Sequence, residues 1–415
     1  MADPHGTHER SPDERSTPPD EATLRHVIST LAPIPRLPTS EGEREAAGIL
    51  RDMLADRGCD AVVEEEPAYR SYAWPIGVLC ALSAAAALAA GRGHRVVGAL
   101  GAAVAAYGIA DDVTGSRMLC RRTTMRPGVA TNVVADTGDP DGSRTLVVLA
   151  HHDAAPSGVV FDQRLSRWVA GKRPDLIEAM TSNPPLWWPV VAGPALVSLG
   201  SLFGSSGLRR AGLVASLGSL AAMVDIGRRP AVPGANDNLS GVAVLVALAE
   251  AFRARPVPGL RVRLVSAGAE EALQEGIRGW AGRHLPALPR DRTWFVNVDT
   301  VGSGRLVLLE GEGPLRMRDY DAGFKDLVAR CAEAEHVSVL RGLRSQNSTD
   351  SAVPNRYGYP VATLVSVDRQ KLIPHYHLES DTPEHVDLEC VANAVRVVES
   401  VARTLASSAP DDLVR

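Results

Sequence analysis

TLVVLAHHDA, residues 145–154, is the stretch on which the fold of this 415-residue chain turns. The aliphatic, β-branched run from Thr145 to Ala150 predicts a buried strand, and His151-His152-Asp153 follows at once. In α/β folds, groups just past a strand end lie where ligands bind. The same pattern recurs along the chain. LRVRLVSAG (260–268) predicts an alternating strand and leads to Glu270-Glu271. TWFVNVDTVG (293–302) predicts a strand carrying Asp299. PVATLVSV (360–367) predicts another, followed in a loop by His375-Tyr376-His377. Helical patterns lie between them: LSGVAVLVALAEAF (239–252), YDAGFKDLVARCAEAE (320–335) and VDLECVANAVRVVESVARTLA (386–406). Strands interleaved with helices of this length predict an α/β sandwich.

Upstream, EATLRHVISTLA (21–32) begins behind Asp20 as a candidate N-cap. SEGEREAAGILRDMLADRG (40–58) opens with a capping box, Ser40 to Glu43, and stops at Gly58. A short strand is expected at Ala61–Val63, and TNVVAD (131–136) is a further β-branched run. The first twenty residues are charged and Pro-rich without an apolar core. They are expected to form a disordered tail, 1–20, that is neither signal peptide nor anchor, ahead of a domain spanning 21–408. At 45 % hydrophobic residues the chain is globular in composition, and a net charge of -5 gives no basic footprint for nucleic acid. The five cysteines form no CxxC and no framework of pairs, which favours a reducing compartment.

Two segments break the α/β rhythm. Tyr72 to Ala90 and Val96 to Ala110 are uncharged, with GRGHR between them; Pro184 to Leu208 and Ala211 to Val224 are uncharged, with Arg209-Arg210 between them. The first arm of each pair reaches the roughly 17–25 residues that a bilayer span needs, and the second arms are shorter. They are expected to be two inserted hydrophobic helical hairpins, 72–110 and 184–226, placing the protein at a membrane; a soluble helical subdomain is the alternative. Each hairpin goes out and back, so all the strand-end residues stay on one side. That side is expected to be the cytoplasm, with Arg117, Arg121, Arg122, Arg126, Lys172, Arg173, Arg228 and Arg229 flanking the pairs against Arg92, Arg95, Arg209 and Arg210 in the connecting loops.

Neutral imidazole and carboxylate are zinc ligands at about 2.0–2.2 Å, and two metals about 3.5–4 Å apart need a carboxylate able to bridge them. Each candidate has a plainer reading when taken alone. His151 with Asp153 is a surface or core pair; Asp237 in GANDN (234–238) is a turn residue or cap of the next helix; Glu270-Glu271 is a solvated helical turn. Asp299, inside an apolar run, is harder to dismiss, because an unpaired buried carboxylate is costly.

Taken together, AHHDA, GANDNLSG, GAEEALQEGIRGW, NVDTVG and HLESDTPEHVD resemble, in order, the motifs of the co-catalytic zinc exopeptidases, the family of bacterial leucyl aminopeptidases and glutamate carboxypeptidase. The resemblance spans about residues 20 to 405, interrupted by the two hydrophobic pairs. It implies a three-layer sandwich with a central mixed sheet, two zinc ions per chain and a peptide substrate. His151 and Asp299 match ligands of the first zinc, Glu271 and His377 those of the second, and Asp237 the bridging carboxylate. Glu270 matches the general base acting on the bridging water, and Asp153 the carboxylate that orients His151. Tyr376 is a candidate oxyanion donor, and Asp350 in SQNSTDSA either supports the site or serves a turn. The implied activity is that of an exopeptidase, expected to be an aminopeptidase; oligomeric state is not indicated.

The sequence departs from the family at His152, at HLESDTP in place of HTP, and in the roughly 85 residues between His151 and Asp237. Two other functions fit the same residues less well: a single-zinc glutaminyl cyclase-like acyltransferase, and an inactive receptor or scaffold that keeps the fold.

Overall fold

The computed structural model describes residues 16–407. Of the expected tail, residues 1–15 lie outside the described residues, and its last five are part of the fold. The Ser16 N–H and hydroxyl donate to Glu335 at 3.1 and 2.5 Å, and the Thr17 N–H donates to Glu399 at 2.7 Å.

Helix α1 (Glu21–Leu31) starts where Asp20 accepts from the Ala22 N–H, and α2 (Glu41–Ala55) where Ser40 accepts from the Glu43 N–H. The capping box is only half made. Glu43 turns away from the Ser40 N–H and accepts instead from the N–H groups of Thr39, Thr131 and Ala269. Strand β1 (Asp60–Ala68) is three times the expected length and pairs antiparallel with β2 (Gly128–Gly138) from Asp60↔Asp136 to Ala68↔Gly128. Its EEEP stretch hid it, because an edge strand is free to carry charge and proline.

Strands β3 (Arg144–His151), β4 (Leu260–Ala267) and β5 (Thr293–Val298) follow the predicted positions. β6 (Arg305–Leu308), the two-residue strands β7 (Gly311–Glu312), β8 (Arg318–Asp319) and β9 (Val339–Leu340), and β10 (Val361–Val367) complete the set. The main sheet runs β1-β2-β4-β3-β5-β10-β6-β9 and is mixed, with a parallel centre from β4 through β10; β7 and β8 form a separate ribbon. Strand alternation divides the interior. Val133, Leu146, Val148, Leu264 and Val296 face one layer, formed by α1, α2, α10 (Leu239–Ala254), α12 (Ala322–Ala334) and α14 (Leu388–Ser407). Val134, Val147, Leu149, Val265 and Phe295 face the other, under Trp280 of α11 (Glu275–His284) and Val353 of α13 (Ala352–Arg356). The result is the expected three-layer sandwich.

The two hydrophobic pairs are helical hairpins, α3 (Ala73–Gly91) with α4 (Arg95–Val113) and α8 (Trp187–Leu202) with α9 (Ser206–Ile226). They do not stand apart: α3 packs on α4 and α9, and α8 packs on α9 and α4, giving one four-helix bundle. Small residues allow the close approach. A Cβ on Gly212 would lie 2.6 Å from the Gly193 carbonyl oxygen, and Ser83 and Ser216 share a 2.8 Å hydrogen bond between α3 and α9. The second hairpin turns at Phe203–Gly204, before Arg209-Arg210, so those arginines ride in α9 and not in the connecting loop as expected. Arg95 likewise opens α4. The apolar first arm is correspondingly shorter, a 16-residue α8. By length and composition, α3 and α4 are the two described helices able to cross a membrane.

Candidate functional site

Four loops at the carboxyl ends of the central strands, and one before α10, carry the predicted residues. Strand β3 ends on His151 itself. Asp237 stands in the turn before α10, where Asn238, not Asp237, caps the helix by accepting from the Gly241 N–H. The two flanking asparagines tie this turn to the exit of β5. Asn238 accepts from the Thr300 N–H and donates to the Val298 carbonyl, while Asn236 accepts from the Gly302 N–H. Asp237 and Asp299 are thus held on one footing. Glu270 and Glu271 form a 3-10 turn after β4, and His377 sits in the loop after β10. Backbones here are unusual: Ala269, Thr300, His375 and His377 all have positive φ, between 50° and 61°. Non-glycine residues in that region cost energy and cluster where geometry is functional.

Three overlapping groups result, one of them His151 with Glu270 and Glu271, and the other two share a carboxylate. His151, Asp237 and Asp299 bring ligand atoms within 4.8 Å of one another, and so do Asp237, Glu271 and His377. Asp237 belongs to both. Its two oxygens lie 3.3 Å from His151 Nε2 and 3.2 Å from His377 Nε2, and Glu271 Oε1 lies 3.2 Å from the same nitrogen of His377. These are charge contacts without hydrogen-bond geometry. Asp237 Oδ2, Glu271 Oε1 and both nitrogens of His377 are buried and find no hydrogen-bond partner among the described residues. Buried polar atoms seldom stay unsatisfied. Donor atoms that converge without bonding one another have the arrangement a cation requires, and an N/O set of this kind fits zinc.

The electrostatics agree. Burial opposes a charge on His377, yet Glu271 and Asp237 beside it push its pKa up to about 10. Asp299 is pushed up to about 7, chiefly by burial. Glu270 is raised well above the ordinary carboxylate range by burial, with Asp350, Glu271 and Asp299 adding to the effect. The pocket holds more negative charge than it can balance, and a cation answers that deficit.

Carboxylates outside the clusters fix the loops. Asp153 accepts from the consecutive N–H groups of Glu270 and Glu271, each at 3.0 Å, and has an oxygen 3.4 Å from His151 Nδ1. Asp381 does the same for the opposite loop, accepting from the N–H groups of Asn236 and Asp237 at 2.8 and 3.0 Å. Asp381 entered the sequence reading only as part of HLESDTPEHVD. That reading missed Arg36 altogether, a fully buried guanidinium that donates to the carbonyls of Leu31, His152 and Pro233. Asp350 stands in a turn but is buried, and neither carboxylate oxygen has a hydrogen-bond partner among the described residues. Gln274 donates from its amide to Glu270 Oε1 at 2.9 Å. Tyr376 stacks on His377 with ring centroids 3.9 Å apart, and burial beside Asp237 and Glu271 raises its phenol well above 10. His152 is packed, not open: it is buried, bonds Ser266 at 3.0 Å, and burial lowers its pKa to about 4.

The comparisons with known proteins can be set beside this geometry. Residues 220–402 match peptidase family M28. The matched part contains Asp237, Glu270, Glu271, Asp299 and His377 but not His151. No curated protein matches the chain. Among solved structures, an aminopeptidase from Aneurinibacillus sp. strain AM-1 has a TM-score of 0.57 at 14 % identity, covering 96 % of this chain and 97 % of its own. The zinc aminopeptidase of Bacillus subtilis has the same TM-score and identity, covering 96 % and 98 %. A glutaminyl cyclase from Bacteroides thetaiotaomicron has a TM-score of 0.55 at 13 % identity, covering 94 % and 99 %. Identities this low speak for the shared fold. The match to peptidase family M28 covers residues 220–402, less than half of the chain, and the likeness of the whole to zinc aminopeptidases is one of fold.

Proposed function

We propose that the chain is a two-zinc exopeptidase bound to a membrane. One observation carries this reading: the two ligand clusters share Asp237 and leave its outer oxygen, Glu271 Oε1 and the His377 ring nitrogens without hydrogen-bond partners. His151, Asp237 and Asp299 would hold one ion, and Asp237, Glu271 and His377 the other. Bound there, zinc would acidify the attacking water and polarise the scissile carbonyl.

The remaining steps belong to the chain's own groups. Glu270, steadied by the Gln274 amide, takes the proton from the attacking water and returns it to the leaving amine. Its raised pKa suits both transfers. Tyr376 keeps its proton and offers it as a hydrogen bond to the developing oxyanion. Asp153 keeps Glu270 and Glu271 in register with His151, so that base and ligands share one support.

The membrane half rests on the bundle. Between Arg92, His94, Arg95, Arg209 and Arg210 at its tip and Asp111, Asp112 and Asp225 at its foot, the helices carry no charge. Its outer faces expose Val78, Leu88, Val96, Leu100, Val104 and Val214, each at least half exposed. Apolar surface on this scale is characteristic of a lipid or partner interface. With the cytoplasm as the expected side of the sandwich, the tip faces outward.

Metal content and one substitution test the chemistry. Two zinc ions per chain are expected. Glu270→Gln is expected to lower kcat by about 10²–10⁴ while retaining both ions. One tightly bound zinc would instead favour the glutaminyl cyclase reading, which the shared fold also accommodates. Zinc-loaded protein that cleaves no aminoacyl or peptidyl substrate would favour the scaffold reading.

A further inference from the structure

The residues around the mouth of the site carry charge that the proposed chemistry leaves unused. A cavity of about 330 Å³ lies where the foot of the bundle meets the sandwich, and it reaches the site at Glu271. Leu37, Tyr72, Trp74, Met125 and Ile226 give it an apolar wall. Arg70, Arg228 and Arg229 also line it. Arg229 is occupied, pairing with Asp225 at 3.0 Å. Arg70 and Arg228 are exposed, and their guanidinium groups have no hydrogen-bond or carboxylate partner among the described residues. The carboxylate within the lining, Glu271, faces His377 in the metal cluster.

The His377 ring is itself covered. Residues 159–183, at the start of the second insertion, run across it as a strap. Phe161 lies against the His377 ring with centroids 4.5 Å apart. Gln163 donates to the Ile373 carbonyl, Lys371 donates to the carbonyls of Glu178 and Met180, and Asn183 accepts from the Gln346 N–H. The strap is thereby stitched to the segments just before Asp350 and His377.

A substrate entering by the bundle foot therefore meets an apolar wall and two unpaired guanidinium groups. An α-ammonium would meet like charge there, whereas a carboxylate would find the partner arginine recognises best. We infer that the substrate is a short apolar peptide bound by its free C-terminal carboxylate, with Arg70 and Arg228 as the residues that recognise it. The chain then acts as a carboxypeptidase or dipeptidase, and the amino acid released is the one that carries the carboxylate. This rests on the exopeptidase reading and differs from the aminopeptidase expectation drawn from the resemblance.

Binding and cleavage separate the two ideas. Zinc-loaded Glu270→Gln protein is titrated calorimetrically with Leu-Phe and with Leu-Phe amide. The acid is expected to bind at least tenfold more tightly, and Arg70→Gln with Arg228→Gln is expected to reduce that preference to under twofold. Arg70→Lys with Arg228→Lys keeps the charge and should keep most of the preference. Equal binding of acid and amide overturns the inference, as does a preference that survives the double Gln substitution. If that double variant loses binding only to vesicles containing anionic phospholipid, the arginines serve a headgroup and the inference is overturned. Hydrolysis by the unsubstituted protein reads the underlying function: cleavage without acid preference defeats only the substrate assignment, while acid preference without any cleavage defeats the exopeptidase reading.

Discussion

A single carboxylate that receives two consecutive backbone N–H groups does more than a ligand can do for itself. Asp381 holds the turn bearing Asp237, as Asp153 holds the turn bearing Glu270 and Glu271. Both are fully buried or nearly so, so neither bond competes with water. Asp381→Asn keeps the shape but turns one acceptor into a donor that faces an N–H. Hydrogen bonds to charged groups contribute about 1.5–3 kcal/mol, and the substitution should lower stability by that order. Zinc affinity should fall about 10–100-fold, because the group that orients a ligand governs its binding. Thermal denaturation and competition with a chromophoric chelator measure the two effects; unchanged zinc affinity would remove Asp381 from the site's support. At this scale the sequence was legible wherever a charged residue interrupts or ends an apolar strand, as at His151, Glu270-Glu271 and Asp299. It was not legible for Arg36 or for the holding role of Asp381. Their partners are main-chain groups remote in sequence, and main-chain groups leave no trace in residue identity. Asp350 fell between: a polar loop suggested a turn, and only burial reveals a carboxylate facing the cluster.

Elements meet at one buried ion cluster. Arg121, in α5 (Leu119–Thr124), bonds Asp112 at the end of α4 through two nitrogens at 3.1 and 2.9 Å, and Glu275 at the start of α11 at 2.8 Å. All three side chains are at most 6 % exposed. The first hairpin is thereby clasped to the helix that follows the Glu270-Glu271 turn. Removing one member of such a cluster leaves uncompensated charge, at a cost of about 3–5 kcal/mol. Arg121→Ala is therefore expected to lower the melting temperature sharply and to loosen the bundle against the sandwich. Limited proteolysis should then cut within 114–127, where the unsubstituted protein resists. Equal resistance in both proteins would mean that the bundle is held elsewhere. The hairpins themselves were readable from their charge-free runs, and their limits fall within a few residues of those expected. Their union into one bundle was not readable, since side-by-side packing of α3 with α9 joins segments more than a hundred residues apart. The position of the second turn was misplaced for a related reason. Arg209-Arg210 looked like a loop because charge usually ends an apolar helix, yet at the first turns of α9 both side chains can reach water beyond the tip.

Taken whole, the molecule is a sandwich with a bundle growing from the rim that carries its chemistry, and the bundle's environment decides how substrate arrives. The uncharged stretch of α4, Val96 to Ala110, spans about 22 Å at 1.5 Å per residue. That is short of a hydrocarbon core of about 30 Å, but arginines at the tip and foot can reach the headgroups. Val104 and Leu217 lie near the middle of the uncharged stretches of α4 and α9 and are 59 % and 47 % exposed. In water, exposing a lysine at either site would change stability by no more than about 0.5 kcal/mol. In lipid, a charge at mid-depth costs about 2.5–3.5 kcal/mol for each site. Val104→Lys with Leu217→Lys therefore discriminates sharply between the two environments. If the bundle sits in a bilayer, the unsubstituted protein stays with membranes through a carbonate wash, and the double variant shifts to the soluble fraction or fails to accumulate. If the bundle is a soluble subdomain, both proteins are soluble, with melting temperatures that agree closely. The same preparation reads sidedness. A cysteine introduced at His94, in the tip, should react with an impermeant maleimide added to intact cells if the sandwich faces the cytoplasm, and should be protected if it faces outward. A substrate cavity at the bundle foot would then open at the surface of the lipid, where apolar peptides concentrate.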